Sequence, residues 1–260
     1  MKHSPTFSAP LRRPLQRRDF LKTLALTGAA TLAGPRLLFG AEPNEKVRLA
    51  CIGIGNRGAD VIGGIDATRL ANIVALCDTE MGAKHTLRTL EKHPNAPRFK
   101  DFRQLFDKMG KEFDAVVIAT PSRLHDGMVR AALDRGIHVF CEKPFCLDWT
   151  QSEALADLAE SKSLVNQVGY HYRYVGAFQR MHQIVTSGAL GRITHVMAEA
   201  YGPVVLRPKR GQSWRTTKTE GGGCLYDYAA HPLNLLNWFF GAPEQVSGSY
   251  LNAIFSQDTD

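Results

Sequence analysis

Short apolar runs alternate with stretches of helical spacing through residues 46–170. Several runs are rich in Val, Ile, Ala and Leu and have the length of buried strands, namely residues 46–53, 72–77, 114–120, 137–141 and 164–169. Helix-compatible spacing lies between them, as at residues 102–109, 126–135 and 150–162. Strands that alternate with helices in this way indicate βαβ units on a parallel sheet.

The pattern changes after about residue 170. Helices are predicted at 177–187 and 225–240, and two longer apolar stretches, Ile193–Tyr201 and Gln245–Phe255, are interpreted as strands. Two strands are few for a sheet, so we expect further C-terminal strands or pairing with a partner. These residues are interpreted as the beginning of an α+β domain with a more open sheet.

A basic start, a small apolar run and a polar continuation make up residues 1–41. Seven Lys or Arg side chains and one Asp lie there, and they account for most of the formal net charge of +7. The rest of the chain is therefore too weakly charged to attract the phosphates of a nucleic acid along its length. Arg17 and Arg18, followed by Phe-Leu-Lys, resemble the twin-arginine export motif. The apolar run Thr23–Ala33 is too short to span a bilayer comfortably. We predict a signal peptide at 1–41, the twin-arginine machinery as a partner, a periplasmic location and no stable membrane span; a basic disordered tail is the alternative.

A glycine-rich turn follows the first strand and opens a helix. Gly53, Gly55 and Gly58 have the spacing of a dinucleotide-binding fingerprint, and Asp78 ends the next strand, roughly 20 residues later. We expect Gly53 to allow the tight turn, Gly55 to let the pyrophosphate approach and Gly58 to allow close helix packing. Asp78 would accept the ribose hydroxyls and repel a 2′-phosphate, which favours NAD over NADP. The predicted cofactor contacts here are Gly53, Ile54, Gly55, Asn56, Arg57, Gly58 and Asp78; a glycine-rich turn in a nucleotide-free α/β protein is the alternative.

A charged pair and a proline end the predicted strand at 137–141. Glu142 and Lys143 fall at its carboxyl end, where open parallel sheets bind ligands, and Pro144 makes the chain turn. With Ala119-Thr120-Pro121, His125 and the stretch Gly221–His231, this turn resembles the signature of the Gfo/Idh/MocA oxidoreductases. The similarity covers residues 46–255.

The resemblance implies a fold and a domain division. A Rossmann NAD(P)-binding domain is expected at residues 42–168. A substrate and oligomerisation domain is expected at 169–260, with an open, mostly antiparallel sheet that is truncated at residue 260. The resemblance also implies a homo-oligomer formed through that sheet.

The resemblance further implies catalytic residues. Lys143 would lie beside the nicotinamide and the substrate, and the family's Asp-x-x-x-His pair falls on Asp227 and His231. Residues at i and i+4 share a helical face, so Asp227 can orient His231 while His231 takes the hydroxyl proton. Lys143 would stabilise the developing oxyanion. Helix capping by Asp227 and simple packing of His231 remain alternatives.

The remaining candidates carry weaker signals. The resemblance adds Thr120, Pro121, His125, Glu142 and Lys143 to the cofactor contacts, with helix capping as an equal alternative for His125. Alternation within residues 170–174 would turn His171 and Arg173 toward the cleft. Tyr172, between them, could stack on a sugar or merely pack. A basic loop after residue 203 could cover the substrate or be solvated. The predicted substrate contacts are His171, Tyr172, Arg173, Trp214 and Arg215.

The sequence therefore predicts an exported NAD-dependent oxidoreductase. It would transfer hydride between a ring secondary alcohol of a sugar, glycoside or cyclitol and a tightly bound nicotinamide. One alternative is an NAD-dependent glycosidase that uses transient oxidation and elimination. Another is a non-catalytic sugar- or nucleotide-binding protein. No Cys or His spacing indicates a metal site.

Overall fold

The described part of the chain is built on one parallel sheet. The computed structural model describes residues 46–200 and 217–249. Its six strands have the order β3-β2-β1-β4-β5-β6, and every neighbouring pair is parallel. The strands are β1 (Val47–Ile52), β2 (Ala71–Cys77), β3 (Arg98–Phe99), β4 (Ala115–Ile118), β5 (His138–Cys141) and β6 (Asn166–Val168).

Helices cover both faces of this sheet. They are α1 (Arg57–Thr68), α2 (Leu87–Lys92), α3 (Phe102–Met109), α4 (His125–Asp134) and α5 (Trp149–Ser161). Alternate residues of β1 enter separate hydrophobic clusters: Ala50 and Ile52 pack in one, and Leu49 and Cys51 in the other. The central strands β1, β2 and β4 are largely buried on both faces, which explains the mostly apolar sequences on which the first strand prediction relied.

The strand order places a ligand crevice next to β1. The chain runs outward from β1 to β3 and then returns to β4 on the other side of β1. In open parallel sheets, ligands bind at such a reversal, outside the carboxyl ends of the strands. The turns after β1, β4 and β5 therefore lie at the edge where a ligand is expected.

The chain beyond the sheet is helical where it is regular. Single 3₁₀ turns lie at His171–Tyr174 and Lys218–Glu220, and a π-helical turn lies at Leu225–Ala229; a further 3₁₀ turn, Ser122–Leu124, lies earlier, between β4 and α4. Two further helices are α6 (Gly176–Thr186) and α7 (Ala230–Phe240). No helix within the described residues is long and apolar enough to cross a membrane.

The prediction of an open, mostly antiparallel C-terminal sheet is wrong. All strands in residues 46–200 and 217–249 belong to the parallel sheet. Residues 193–200 form neither strand nor helix, and their side chains are exposed. Alternating apolar residues make a strand only when a neighbouring strand accepts their backbone hydrogen bonds, and no described segment pairs with this one. Residues 245–249 are also irregular, and residues 201 and 250–255 of the two predicted strands lie outside the described residues.

Candidate functional site

The turn after β1 leaves no room for a side chain at two of its glycines. Gly53 has φ +79°, and a Cβ there would lie 2.6 Å from the carbonyl oxygen of Ala119. A Cβ on Gly58 would lie 1.9 Å from the carbonyl oxygen of Gly53. The tight turn and the close packing expected of these residues are thus observed, and they set the N-terminus of α1 against the end of β1. Contact with a cofactor stays a prediction.

The peptide of Ile54 is held from both sides. Its N–H donates to Asp78 Oδ2 at 3.0 Å, and its carbonyl accepts the Thr89 hydroxyl at 2.8 Å. Asp78 Oδ1 accepts the Glu80 N–H at 2.9 Å. Each Asp78 oxygen therefore binds one backbone N–H and keeps further acceptor capacity, which fits two ribose hydroxyls.

The space beside Gly55 is filled by the side chain of His85, a contact that the sequence did not reveal. A Cβ there would come within 2.1 Å of His85 Cδ2, so the imidazole packs directly on this glycine. His85 Nε2 lies 3.4 Å from Glu80 Oε2. The next residue, Asn56, is exposed and has φ +43° and ψ −111°, which lies outside the left-handed helical region and is a strained conformation for a residue other than glycine.

Arg57 and Glu142 join the glycine-rich turn to the Glu-Lys-Pro turn. Glu142 is only 5% exposed, and its Oε1 accepts from Nε and lies 2.9 Å from Nη2 of Arg57. Its Oε2 accepts the N–H of Lys143 at 3.2 Å. Arg57 Nη2 also lies 3.4 Å from His171 Nδ1. The two side chains, both predicted to contact the cofactor, thus form a partly buried ion pair with each other.

Lys143 contacts a residue 84 positions further along the chain. Its Nζ donates to Asp227 Oδ1 at 2.9 Å and to the Asp227 carbonyl at 2.8 Å. The side chains are 14% and 13% exposed. Asp227 lies in the π-helical turn at 225–229, a rare conformation that is frequent at functional sites. The structure therefore brings together two of the three residues predicted to be catalytic.

The third predicted catalytic residue, His231, lies among aromatic rings in the first turn of α7. Its ring stacks on Tyr172, with centroids 4.4 Å apart and an interplanar angle of 26°. The rings of Tyr170 and His171 are nearly perpendicular to it, and their centroids lie 6.2 and 5.1 Å from its centroid. Its Nδ1 is buried and makes no hydrogen bond with any described residue.

Burial lowers the pKa of His231 to about 4. The positive charges of Lys143, His171 and Arg57 act in the same direction, and the Asp227 carboxylate opposes them. An imidazole with such a pKa is neutral at pH 7 and can accept a proton.

His125 braces the Glu-Lys-Pro turn. The side chain is wholly buried, with Nδ1 2.8 Å from the Pro144 carbonyl oxygen and Nε2 3.0 Å from the Thr120 carbonyl oxygen. Burial lowers its pKa, although the surrounding carbonyls oppose the shift. The ring therefore joins the segment after β4, where Pro121 precedes the 3₁₀ turn, to the segment after β5. Its predicted place beside the nicotinamide stays a prediction.

The predicted substrate contacts do not share one face. Residues 171–174 form a 3₁₀ turn, so the prediction of strand-like alternation is wrong. With three residues per turn, the side chains at positions i and i+2 point in different directions. His171 lies near Arg57, whereas Arg173 donates to Asn234 Oδ1 at 2.7 Å and lies 5.7 Å over Trp238. Tyr172 stacks on His231. Trp214 and Arg215 lie outside the described residues.

Comparison with known proteins defines the class of this chain. Residues 47–170 match an "Oxidoreductase family, NAD-binding Rossmann fold" profile, and residues 178–260 match the GFO/IDH/MocA C-terminal domain. Residues 14–34 match a twin-arginine translocation pathway signal sequence. The chain therefore belongs to the GFO/IDH/MocA oxidoreductase family.

Relatives and solved structures support this assignment. The chain is 31% identical over 157 residues to a levoglucosan dehydrogenase of Pseudarthrobacter phenanthrenivorans, covering 60% of this chain and 38% of the relative. It is 29% identical over 207 residues to a D-glucoside 3-dehydrogenase of Escherichia coli, covering 78% of this chain and 56% of the relative. The crystal structure of an oxidoreductase domain protein from Kribbella flavida superposes with a TM-score of 0.66 at 26% identity, covering 75% of this chain and 54% of that one. The chain thus spans between 38% and 56% of the length of these curated relatives.

Proposed function

We propose that this protein is an exported NAD-dependent dehydrogenase that oxidises a ring secondary alcohol of a sugar, glycoside or cyclitol. One observation carries the proposal: the Lys143 ammonium is held by Asp227 at the carboxyl end of β5, and His231 follows Asp227 by four residues at the start of α7. A fixed cation and a neutral base at one crevice suit alcohol oxidation. Two relatives named as dehydrogenases of levoglucosan and of D-glucosides support a carbohydrate substrate.

The turn after β1 fits a dinucleotide. Gly53 and Gly58 keep backbone, not side chains, at the N-terminus of α1, where N–H groups favour phosphate. Asp78 has acceptor capacity for the ribose hydroxyls, and its charge would repel a 2′-phosphate, which supports NAD over NADP. Once bound, the nicotinamide would supply the hydride acceptor.

The side chains of this chain would handle the proton and the charge. His231, neutral at pH 7, would take the proton of the substrate hydroxyl. Lys143 would donate a hydrogen bond to the same oxygen as negative charge develops there. Asp227 would hold the Lys143 amine in place, and the rings around His231 would exclude water.

The domain division and the export route belong to the same proposal. Residues 1–41 would be the signal peptide, 42–168 the cofactor domain, and 169–260 the substrate domain through which a homo-oligomer forms. Because the twin-arginine machinery exports folded proteins, NAD would leave the cytoplasm inside the protein. After the substrate is oxidised, the bound NADH would be re-oxidised in place, by passing its hydride to a second sugar or back to the same substrate.

Substitution of Lys143 by Met tests the catalytic assignment. We expect kcat/KM to fall by at least about 100-fold, because the variant loses a charged donor to the transition state, while NAD binding persists. A panel of aldoses, glycosides and cyclitols would be followed by reduced-nicotinamide absorbance and product mass, and NAD binding by calorimetry.

The exposed Lys108→Met variant is the matched control and should keep wild-type activity. Unchanged turnover in the K143M variant would contradict the assignment. Binding of NAD by the full chain without hydride transfer to any sugar would identify a binding protein, and hydrolysis without net NADH would identify a glycosidase.

A further inference from the structure

Three aromatic rings form a column that ends on His231. Phe178 of α6 stacks on Tyr172 with centroids 5.5 Å apart and an interplanar angle of 24°. Tyr172, in the 3₁₀ turn, then stacks on His231 of α7 at 4.4 Å and 26°. The column therefore joins three separate elements and fixes the plane of the imidazole from one side.

Two further rings close the sides of the imidazole. His171 and Tyr170 meet it edge-on, with interplanar angles of 79° and 88°. Tyr172 is 37% exposed, so it forms the outer wall of this enclosure. Within the described residues, His231 Nδ1 has neither solvent contact nor a hydrogen-bond partner.

Charged groups from four neighbouring segments act on His231. Lys143 of the Glu-Lys-Pro turn, Arg57 of α1 and His171 of the 3₁₀ turn favour the neutral ring, and Asp227 of the π-helical turn favours the charged one. Their effects partly cancel, and the loss of hydration on burial is the largest cause of the lowered pKa. The exclusion of water by the surrounding rings therefore lowers the pKa of His231 more than any single charge does.

We propose that Tyr172 is a positioning residue that holds the plane of His231 and keeps water from it. Its stacking surface, not its hydroxyl, would carry this role, because stacking requires only the ring face. The sequence predicted that Tyr172 stacks on a sugar or merely packs; its ring packs on His231, and contact with a sugar stays a prediction. The consequence for turnover rests on the proposed function, whereas the effect on His231 does not.

Titration of His231 by NMR tests this role in the full chain without substrate. The His231 and His171 signals would be assigned with H231N and H171N variants. In Y172S we expect the His231 pKa to rise by at least about one unit toward its ordinary value, because water reaches the ring. In Y172F the column persists, and the pKa should stay at the wild-type value. Y174S is the matched control, since Tyr174 is in the same turn and 66% exposed, and it should leave the His231 pKa unchanged.

The pH dependence of turnover gives a second readout. The acidic limb of the kcat/KM profile, which reports the free enzyme, should move upward in Y172S by the same amount as the His231 pKa, and return to its wild-type position in Y172F. If Y172S does not fold, Y172Q is measured in its place with the same expectation. An unchanged His231 pKa in the folded polar variant, or an equal rise in Y172F, would overturn the proposal. Loss of the proposed activity would not affect this result, because the titration needs no turnover.

Discussion

At the scale of single residues, the lowered pKa of His231 affects both the proposed proton transfer and the stability of the fold. A buried imidazole with an unpaired Nδ1 and cations nearby is costly to protonate. The unfolded chain has no such restriction, and its histidines take up protons near pH 6.5. The native state therefore binds fewer protons than the unfolded state between these two pKa values.

Acidification should destabilise the protein through this residue. The native pKa of about 4 lies below the unfolded value of 6.5, so stability is fully present above pH 6.5 and is lost as the pH falls toward 4. After allowance for solvent screening of a half-buried ring, we expect a loss of about 1–2 kcal/mol. Urea unfolding at pH 7 and pH 4.5 measures it.

The H231Q variant should lack this part of the loss, whereas the exposed control H195Q should follow the wild type. Carboxylates such as Asp114, whose pKa is held low by hydrogen bonds from Arg48, titrate in all three proteins and cancel in the comparison. An equal acid response in H231Q and the wild type would contradict the lowered pKa of His231.

At the scale of elements, the start of α1 is fixed by backbone contact. Gly58 lies in the first turn of α1 and touches the carbonyl of Gly53, so β1 and α1 meet without any intervening side chain. Further along the same helix, a Cβ on Gly64 would have nothing within 4 Å. One helix therefore contains both a glycine that the fold requires and one that it does not.

Alanine at these two positions should have opposite effects. G58A forces a Cβ onto a carbonyl oxygen, so we expect a loss of more than about 3 kcal/mol or failure to fold. G64A removes backbone freedom from the unfolded chain and should stabilise by about 0.5–1 kcal/mol. Thermal and urea unfolding measure both, and a neutral G58A would show that the turn can open without cost.

The elements also show what the sequence could predict. Strands β1, β2, β4 and β5 were readily predicted, because burial on both faces leaves them mostly apolar. Strand β3 has two residues and no pattern of its own. Residues 171–174 alternate like a strand, but tertiary contacts with α6 and α7 make them a 3₁₀ turn.

The candidate site was predictable only in part, because several of its contacts join side chains that are far apart in the sequence. The resemblance to the family signature implied that Lys143, Asp227 and His231 act together, and the structure brings Lys143 and Asp227 into contact. The pair formed by Arg57 and Glu142 was not foreseen, because each side chain was assigned to a ligand. Contacts between distant side chains leave no periodicity in a sequence.

At the scale of the whole molecule, long-range ion pairs connect residues 217–249 to the edge of the parallel sheet. Lys143 pairs with Asp227, and Arg123 Nε lies 2.8 Å from both carboxylate oxygens of Glu220. Such contacts form only when the chain has folded, since 84 and 97 residues separate the partners. The twin-arginine signal sequence is consistent with this, because that pathway exports folded proteins.

Replacement of Arg17 and Arg18 by lysine tests the export route. We expect most of the protein to stay in the cytoplasm, because the export machinery reads the arginine pair, while the folded chain keeps its affinity for NAD. Cell fractionation with immunoblotting and calorimetry would measure the two properties. Undiminished periplasmic protein in this double variant would contradict twin-arginine export.

The contacts of Asp78 limit how far cofactor preference can be redesigned. An engineer who wanted the protein to accept a 2′-phosphate would begin by replacing this carboxylate with a neutral or basic side chain. The same change removes the acceptor for the N–H groups of Ile54 and Glu80, and so loosens the turn that a dinucleotide would grip. A successful exchange therefore needs a companion substitution that returns an acceptor to that turn.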